Sequence, residues 1–168
     1  IEFKNWSFGR DYFITFVLAP AKDKGQVFLK VKTELWNFMP AINRTVKLPP
    51  SVMSQGWMGS DYSNDDLVKQ SSLVKDYNQT LLRNEKLDEK ECFVIELIPL
   101  PNATVVWGKI LAWVDKSEYI ILKGEYYDEQ LELVRTEEVK EVKKFNERLL
   151  PSVTEIVHHG EEGNQTII

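Results

Sequence analysis

The strongest constraint on this chain is a set of strand-length stretches that are apolar on both alternations. From Tyr12 to Leu18, one set of alternate positions holds Tyr12, Ile14, Phe16 and Leu18. The other holds Phe13 and Val17, with Thr15 between them. From Val105 to Val114, Val105, Trp107, Leu111 and Trp113 fall on one face, and Val106, Ile110, Ala112 and Val114 on the other. Successive side chains of a strand point to opposite faces. A sheet packed on one core needs only one apolar face, so these strands must meet something on both sides. Helices, a second sheet or a ligand would all serve. Five Trp, eight Phe and six Tyr, mostly within such stretches, fit either a filled barrel or sandwich, or a curved sheet enclosing an apolar cavity.

Turn signals divide the rest of the chain into short strands. Ile1 to Phe8 alternates weakly and ends at Gly9-Arg10-Asp11. Gln26 to Thr33, Leu35 to Met39 and Arg44 to Leu48 follow, each closed by a turn or by proline. A second set is predicted over Leu73 to Leu87, Cys92 to Leu100, Val105 to Val114 and Tyr119 to Tyr127, with a last strand over Asn164 to Ile168. Such spacing predicts antiparallel sheet and not βαβ units. Leu131 to Leu149 is ambiguous. Val139, Val142, Phe145 and Leu149 would make a helical stripe, whereas the alternative is two polar strands, Leu131 to Lys140 and Lys144 to Val157.

Between the two sets, Met53 to Leu67 breaks the strand texture. Gly56 and Gly59 allow unusual backbone angles. Ser63, with Asp66 three residues on, predicts a capped helix start in a short helical crossing.

Several function classes are excluded or weakened. The chain has 168 residues, enough for one domain, and a net charge of -5 with its basic residues dispersed. Lys140, Lys143 and Lys144 are interleaved with Glu137, Glu138 and Glu141, which argues against a nucleic-acid surface. Asp61, Asn64, Asp65 and Asp66 resemble a calcium loop, but the sixth and twelfth positions would be Asp66 and Ser72 instead of Gly and Glu. Helix capping explains these acids better. His158 and His159 are adjacent, so on a strand they point apart and suit a shared metal poorly. Ser60 lacks a nucleophile-elbow pattern. The single cysteine, Cys92, sits in an apolar strand and reads as a buried inert thiol. No apolar run reaches the roughly 18 residues of a membrane span. The chain lacks an initiator Met and begins within a strand-like stretch, from which we expect a processed or truncated product.

Taken together, Gln26-Val27-Phe28-Leu29-Lys30, Leu35-Trp36-Asn37-Phe38-Met39-Pro40, Arg44, the stretch Met53 to Leu67 and Lys109-Ile110-Leu111-Ala112-Trp113-Val114-Asp115 resemble the outer-membrane lipoprotein-sorting proteins of the LolA-like family. The resemblance covers most of the chain and is most specific at Trp57-Met58-Gly59-Ser60-Asp61. It implies a mainly β fold with a few short helices. In that fold a curved antiparallel sheet forms an incomplete, half-open barrel with helices against its concave face. It also implies a single domain over residues 1–168, lacking the family's signal peptide and first helix and cut short at its end. For Leu131 to Val157 it favours two strands with a turn near Lys143 to Asn146.

The family likeness further implies a monomeric, exported periplasmic carrier that is not an enzyme and needs no cofactor or metal. Its partners would be lipoprotein acyl chains or other lipids, with envelope transport proteins as further partners. The expected lipid-binding cavity is lined by Tyr12, Ile14, Phe16, Val27, Leu29, Leu35, Trp36, Met53, Trp57, Met58, Trp107, Leu111 and Trp113. Met53, Trp57 and Met58 would form the apolar side of a lid. The rival expectation is a non-enzymatic envelope sensor or protein-interaction domain on the same scaffold.

Overall fold

A computed structural model of the chain describes residues 1–9, 11–60, 62–69, 72–103, 105–160 and 165–167. Among these the fold is mainly β, in two antiparallel sheets of which neither closes on itself. Among the described residues, helical structure is limited to one short helix, α1 (Asn64–Lys69), and four 3-10 turns. No helix among the described residues is long and apolar enough to cross a membrane.

One compact unit comprises Ile1–Gln55 with Ser63–Ser71. Its five-stranded sheet is a meander of β1 (Glu2–Phe8), β2 (Tyr12–Ala19), β3 (Val27–Val31), β4 (Glu34–Met39) and β5 (Arg44–Lys47). Each strand pairs with its neighbour in sequence, as the closely spaced turn signals require. Lys32 takes a left-handed φ of 56° in the two-residue turn between β3 and β4. The helix starts where local chemistry dictates. The Ser63 N–H donates to Asp66 Oδ2 at 2.8 Å, and the Asp66 N–H donates back to Ser63 Oγ at 3.1 Å. This reciprocal capping satisfies two backbone donors that a helix start would otherwise leave unmatched. Asn64 ties the same turn to residues 52–55 by donating through Nδ2 to Val52 O and Gln55 O.

The other compact unit comprises Gly56–Tyr62 with Ser72–Ile168. Its seven-stranded sheet runs, in sequence order, through β6 (Tyr77–Leu87), β7 (Lys90–Pro99), β8 (Lys109–Asp115), β9 (Ile121–Tyr127), β10 (Leu133–Phe145), β11 (Arg148–His158) and β12 (Gln165–Ile167). The core occupies both faces. Cys92, Val94 and Trp113 are buried on one face, and Leu97, Ile110 and Ala112 on the other. The two-sided apolar pattern of β8 is thus used on both sides.

Several strand boundaries differ from the sequence expectation; β9, for instance, begins at Ile121 and not at Tyr119. Residues 72–74 form a 3-10 turn, so β6 begins at Tyr77 and not at Leu73. β8 begins at Lys109 and not at Val105. Just ahead of it, at Gly108, an added Cβ would stand 2.3 Å from Asp128 O, so the chain enters the sheet by a close backbone approach that needs glycine. Residues 131–149 are not helical: β10 and β11 form a hairpin turning at Asn146 and Glu147, slightly later than expected, with Asn146 at φ 54°. Arg10, in an expected turn, and Asn164 and Ile168, in the expected last strand, lie outside the described residues.

Candidate functional site

Residues paired across an antiparallel sheet share a face. In the five-stranded sheet, Trp6, Ile14, Leu29 and Trp36 make one row across β1 to β4, ended by Lys47 on β5. Phe8, Tyr12 and Val31 form the row beside it, ended by Glu34. Phe16, Val27 and Phe38 form the row on the other side, between Lys4 and Thr45. At about 4.8 Å per strand, the central row spans roughly 14 Å from Trp6 to Trp36. Trp6 and Phe16 touch edge to face at 5.7 Å between centroids. Lys47 and Glu34 form an ion pair at the border, and this pairing holds the Glu34 carboxyl below its usual range.

The two faces of this sheet have opposite fates. Thr15, Val17, Phe28, Lys30 and Leu35 are buried on one. On the other, Trp6 is 55% exposed, Phe8 81% and Leu29 40%, with Tyr12 and Phe16 also exposed. Ile14, Val27, Trp36 and Phe38 are half-buried there. A contiguous apolar patch left open in this way marks an interaction or ligand-binding surface.

Of the residues expected to line a cavity, the structure brings Tyr12, Ile14, Phe16, Val27, Leu29 and Trp36 together on this open face. Leu35 is on the buried face, because it adjoins Trp36 along β4. Met53 is half-buried in the same compact unit. Trp57 and Met58 belong to the other unit, where Trp57 is buried. There Met58 and Gly59 take left-handed φ values of 53° and 79°. Gly56 has an ordinary φ of -57°, and a Cβ there would stand 2.1 Å from Ser60 O. Asp61 lies outside the described residues. Trp6, Phe8 and Phe38 complete the face. The sequence signal for Trp6 and Phe8 is the hairpin around residues 9–11, which sets them opposite Ile14 and Tyr12.

In the seven-stranded sheet, Leu111 and Trp113 share one face and Trp107 packs on the other, against Tyr77, Leu97, Ile110 and Ala112. Trp113 is buried. Its indole Nε1 donates to Glu85 Oε1 at 3.1 Å, and Lys123 Nζ stands 4.6 Å from its ring centre. The indole donation, with help from Arg83, lowers the Glu85 carboxyl. Burial and the hydrogen bond to Glu125 push the Tyr127 phenol up to about 12. Burial raises the Cys92 thiol, which suits an inert core residue.

Sequence reasoning missed a second constellation in this unit. The Arg135 guanidinium, 1% exposed, packs against both rings of the Tyr126–Trp107 pair, with Cζ at 4.2 Å and 4.7 Å from their centres. Its Nη2 pairs with Glu137 Oε1 at 2.9 Å, and Glu137 Oε2 accepts from the Tyr126 hydroxyl at 2.9 Å. Among the described residues, no three or more His, Cys, Asp or Glu side chains converge to hold a metal.

Comparison with known proteins agrees with this architecture. A family model described as "Uncharacterized protein" matches residues 9–168. No curated protein matches the chain. A solved DUF1329 family protein from Desulfovibrio piger is similar at 24% identity and TM-score 0.89, over 98% of this chain and 73% of that one. A Vibrio parahaemolyticus domain, inferred to be an outer membrane lipoprotein-sorting protein domain, is similar at 25% identity and TM-score 0.83, over 98% and 72%. A LolA superfamily protein from Nitrosomonas europaea is similar at 25% identity and TM-score 0.78, again over 98% and 72%. The chain therefore belongs to the matched family, and its fold is that of the LolA-like superfamily of outer-membrane lipoprotein-sorting proteins.

Proposed function

We propose that this protein is a periplasmic carrier, not an enzyme, that holds lipid or lipoprotein acyl chains in outer-membrane lipoprotein sorting. The observation that carries the reading is the open apolar face of the five-stranded sheet, built on Trp6, Ile14, Leu29 and Trp36 and bordered by charge. Each methylene moved from water onto such a surface contributes about 0.8 kcal/mol. A stretch of about ten would contribute roughly 8 kcal/mol before the costs of ordering the chain. The likeness to the Vibrio domain supports the same class of cargo.

The half-open barrel, with helices against its concave face and both sheets in a single domain, is part of this proposal. So are the lining roles expected of residues outside the open face, a monomeric state, and hand-over to envelope transport proteins. Native mass spectrometry of protein purified with minimal detergent tests the reading. Co-purified lipid, or uptake of a fluorescent fatty acid by the stripped protein, is expected. An empty protein that takes up no fatty acid would sink the proposal.

A further inference from the structure

Part of one face of the seven-stranded sheet, over β6 to β8, is covered by irregular chain. Val105 and Trp107, which precede β8, pack on the cluster of Tyr77, Leu97, Ile110 and Ala112. The segment is tied down at its end, where the Gly108 N–H donates to Tyr127 O at 2.9 Å. Ahead of that point Val105 and Trp107 pack on the cluster, and Trp107 makes the polar and cation contacts. Its carbonyl accepts from the Tyr77 hydroxyl at 3.5 Å, the outer limit of a hydrogen bond. Its indole rests on Arg135.

The sheet side of that contact is rigid. Tyr126 lies over Gly124, where an added Cβ would stand 2.9 Å from the ring, so the ring needs the glycine beneath it. Arg135 and Glu137 are paired on the next strand, and Tyr126 donates to Glu137. Trp107 alone comes from the irregular segment. The two rings touch at 5.3 Å between centres, tilted by 57°, and the guanidinium packs against both of them. A desolvated cation against aromatic faces is held more strongly than an exposed one.

We propose that Arg135 is the latch of a strap formed by residues 105–108. Its guanidinium holds Trp107 down, and loss of that contact lifts the strap and opens the apolar face beneath to small apolar ligands. This inference does not depend on the carrier reading, because it concerns access to a different sheet and is read with a neutral probe.

Hydrogen exchange on the whole chain tests it. Arg135→Met is combined with Glu137→Gln so that no lone buried carboxylate remains. Exchange at residues 105–108 should rise about tenfold or more, while amides within β8, β9 and β10 keep their protection. Fluorescence of N-phenyl-1-naphthylamine should rise with it. Unchanged exchange at residues 105–108 would overturn the latch, as would a uniform rise across β8 to β10, which marks Arg135 as ordinary core. A released strap without probe uptake would overturn the opening of the face. Trp107→Leu leaves the sheet-side network intact and should give the same local exchange. If the double variant does not fold, this variant alone decides the outcome.

Discussion

Replacing Trp6 and Leu29 by serine, set against a control of matched stability, separates cargo binding from stability. Trp6 is 55% and Leu29 40% exposed on the open face, so a bound chain would cover what water now reaches. Full burial contributes about 3 kcal/mol for a side chain as large as Trp and about 2 kcal/mol for Leu. The exposed fractions then correspond to roughly 2.5 kcal/mol together, or about a seventyfold rise in Kd when both are lost. The fractions already buried weaken folding by a similar amount, about 2.5 kcal/mol. Affinity could therefore fall through instability alone, and a matched control is needed. Val17→Ala supplies it: Val17 is 1% exposed on the opposite face, and its truncation costs about 2–3 kcal/mol. The assay is titration with a fluorescent fatty acid at a temperature where circular dichroism shows every variant folded. The double variant should lose about seventyfold in affinity while Val17→Ala retains it. Equal losses in both, or an unaffected double variant, would refute the assignment of the face.

Two further outcomes follow from local chemistry. Ser63→Ala and Asp66→Ala should each cost about 1 kcal/mol in urea denaturation, and the pair together less than their sum, because each completes the other's cap. Burial pushes the Asp115 carboxyl up, but the Ser117 N–H and hydroxyl, each donating at 2.9 Å, and Lys90 at 3.1 Å outweigh it and leave it lowered. A folded-state pKa below the unfolded value of about 3.9 gives stability that is present above that value. That stability is lost as pH falls through the folded pKa, so Asp115→Asn should flatten the acid limb of a stability–pH curve.

The sequence discloses what is local. The capped helix start at Ser63 is readable because both partners lie within four residues. The β1–β2 hairpin is readable from its turn, and its register then carries Trp6 to Ile14. Alternation misled where a strand-like pattern ran past a hidden break. Leu73 and Val74 continue the texture of β6, and Val105 and Trp107 that of β8, yet residues 72–74 form a 3-10 turn and β8 begins only after Gly108, which lies against Asp128. The helical stripe at residues 139–149 competed with a signal that was present all along. Opposite charges two apart, as in Arg135 with Glu137, Glu138 with Lys140 and Glu141 with Lys143, pair at that spacing along β10 in the structure. A helix would place such pairs three or four apart. The cluster of Trp107, Tyr126 and Arg135 was not legible, because three separate segments build it.

Photo-crosslinking with a diazirine-bearing fatty acid, mapped by peptide mass spectrometry, tests the central claim most directly. Adducts should concentrate on the open face, on β1 to β4 around Trp6, Ile14, Leu29 and Trp36. Their absence from these strands, or adducts scattered without preference over both sheets, would contradict the account.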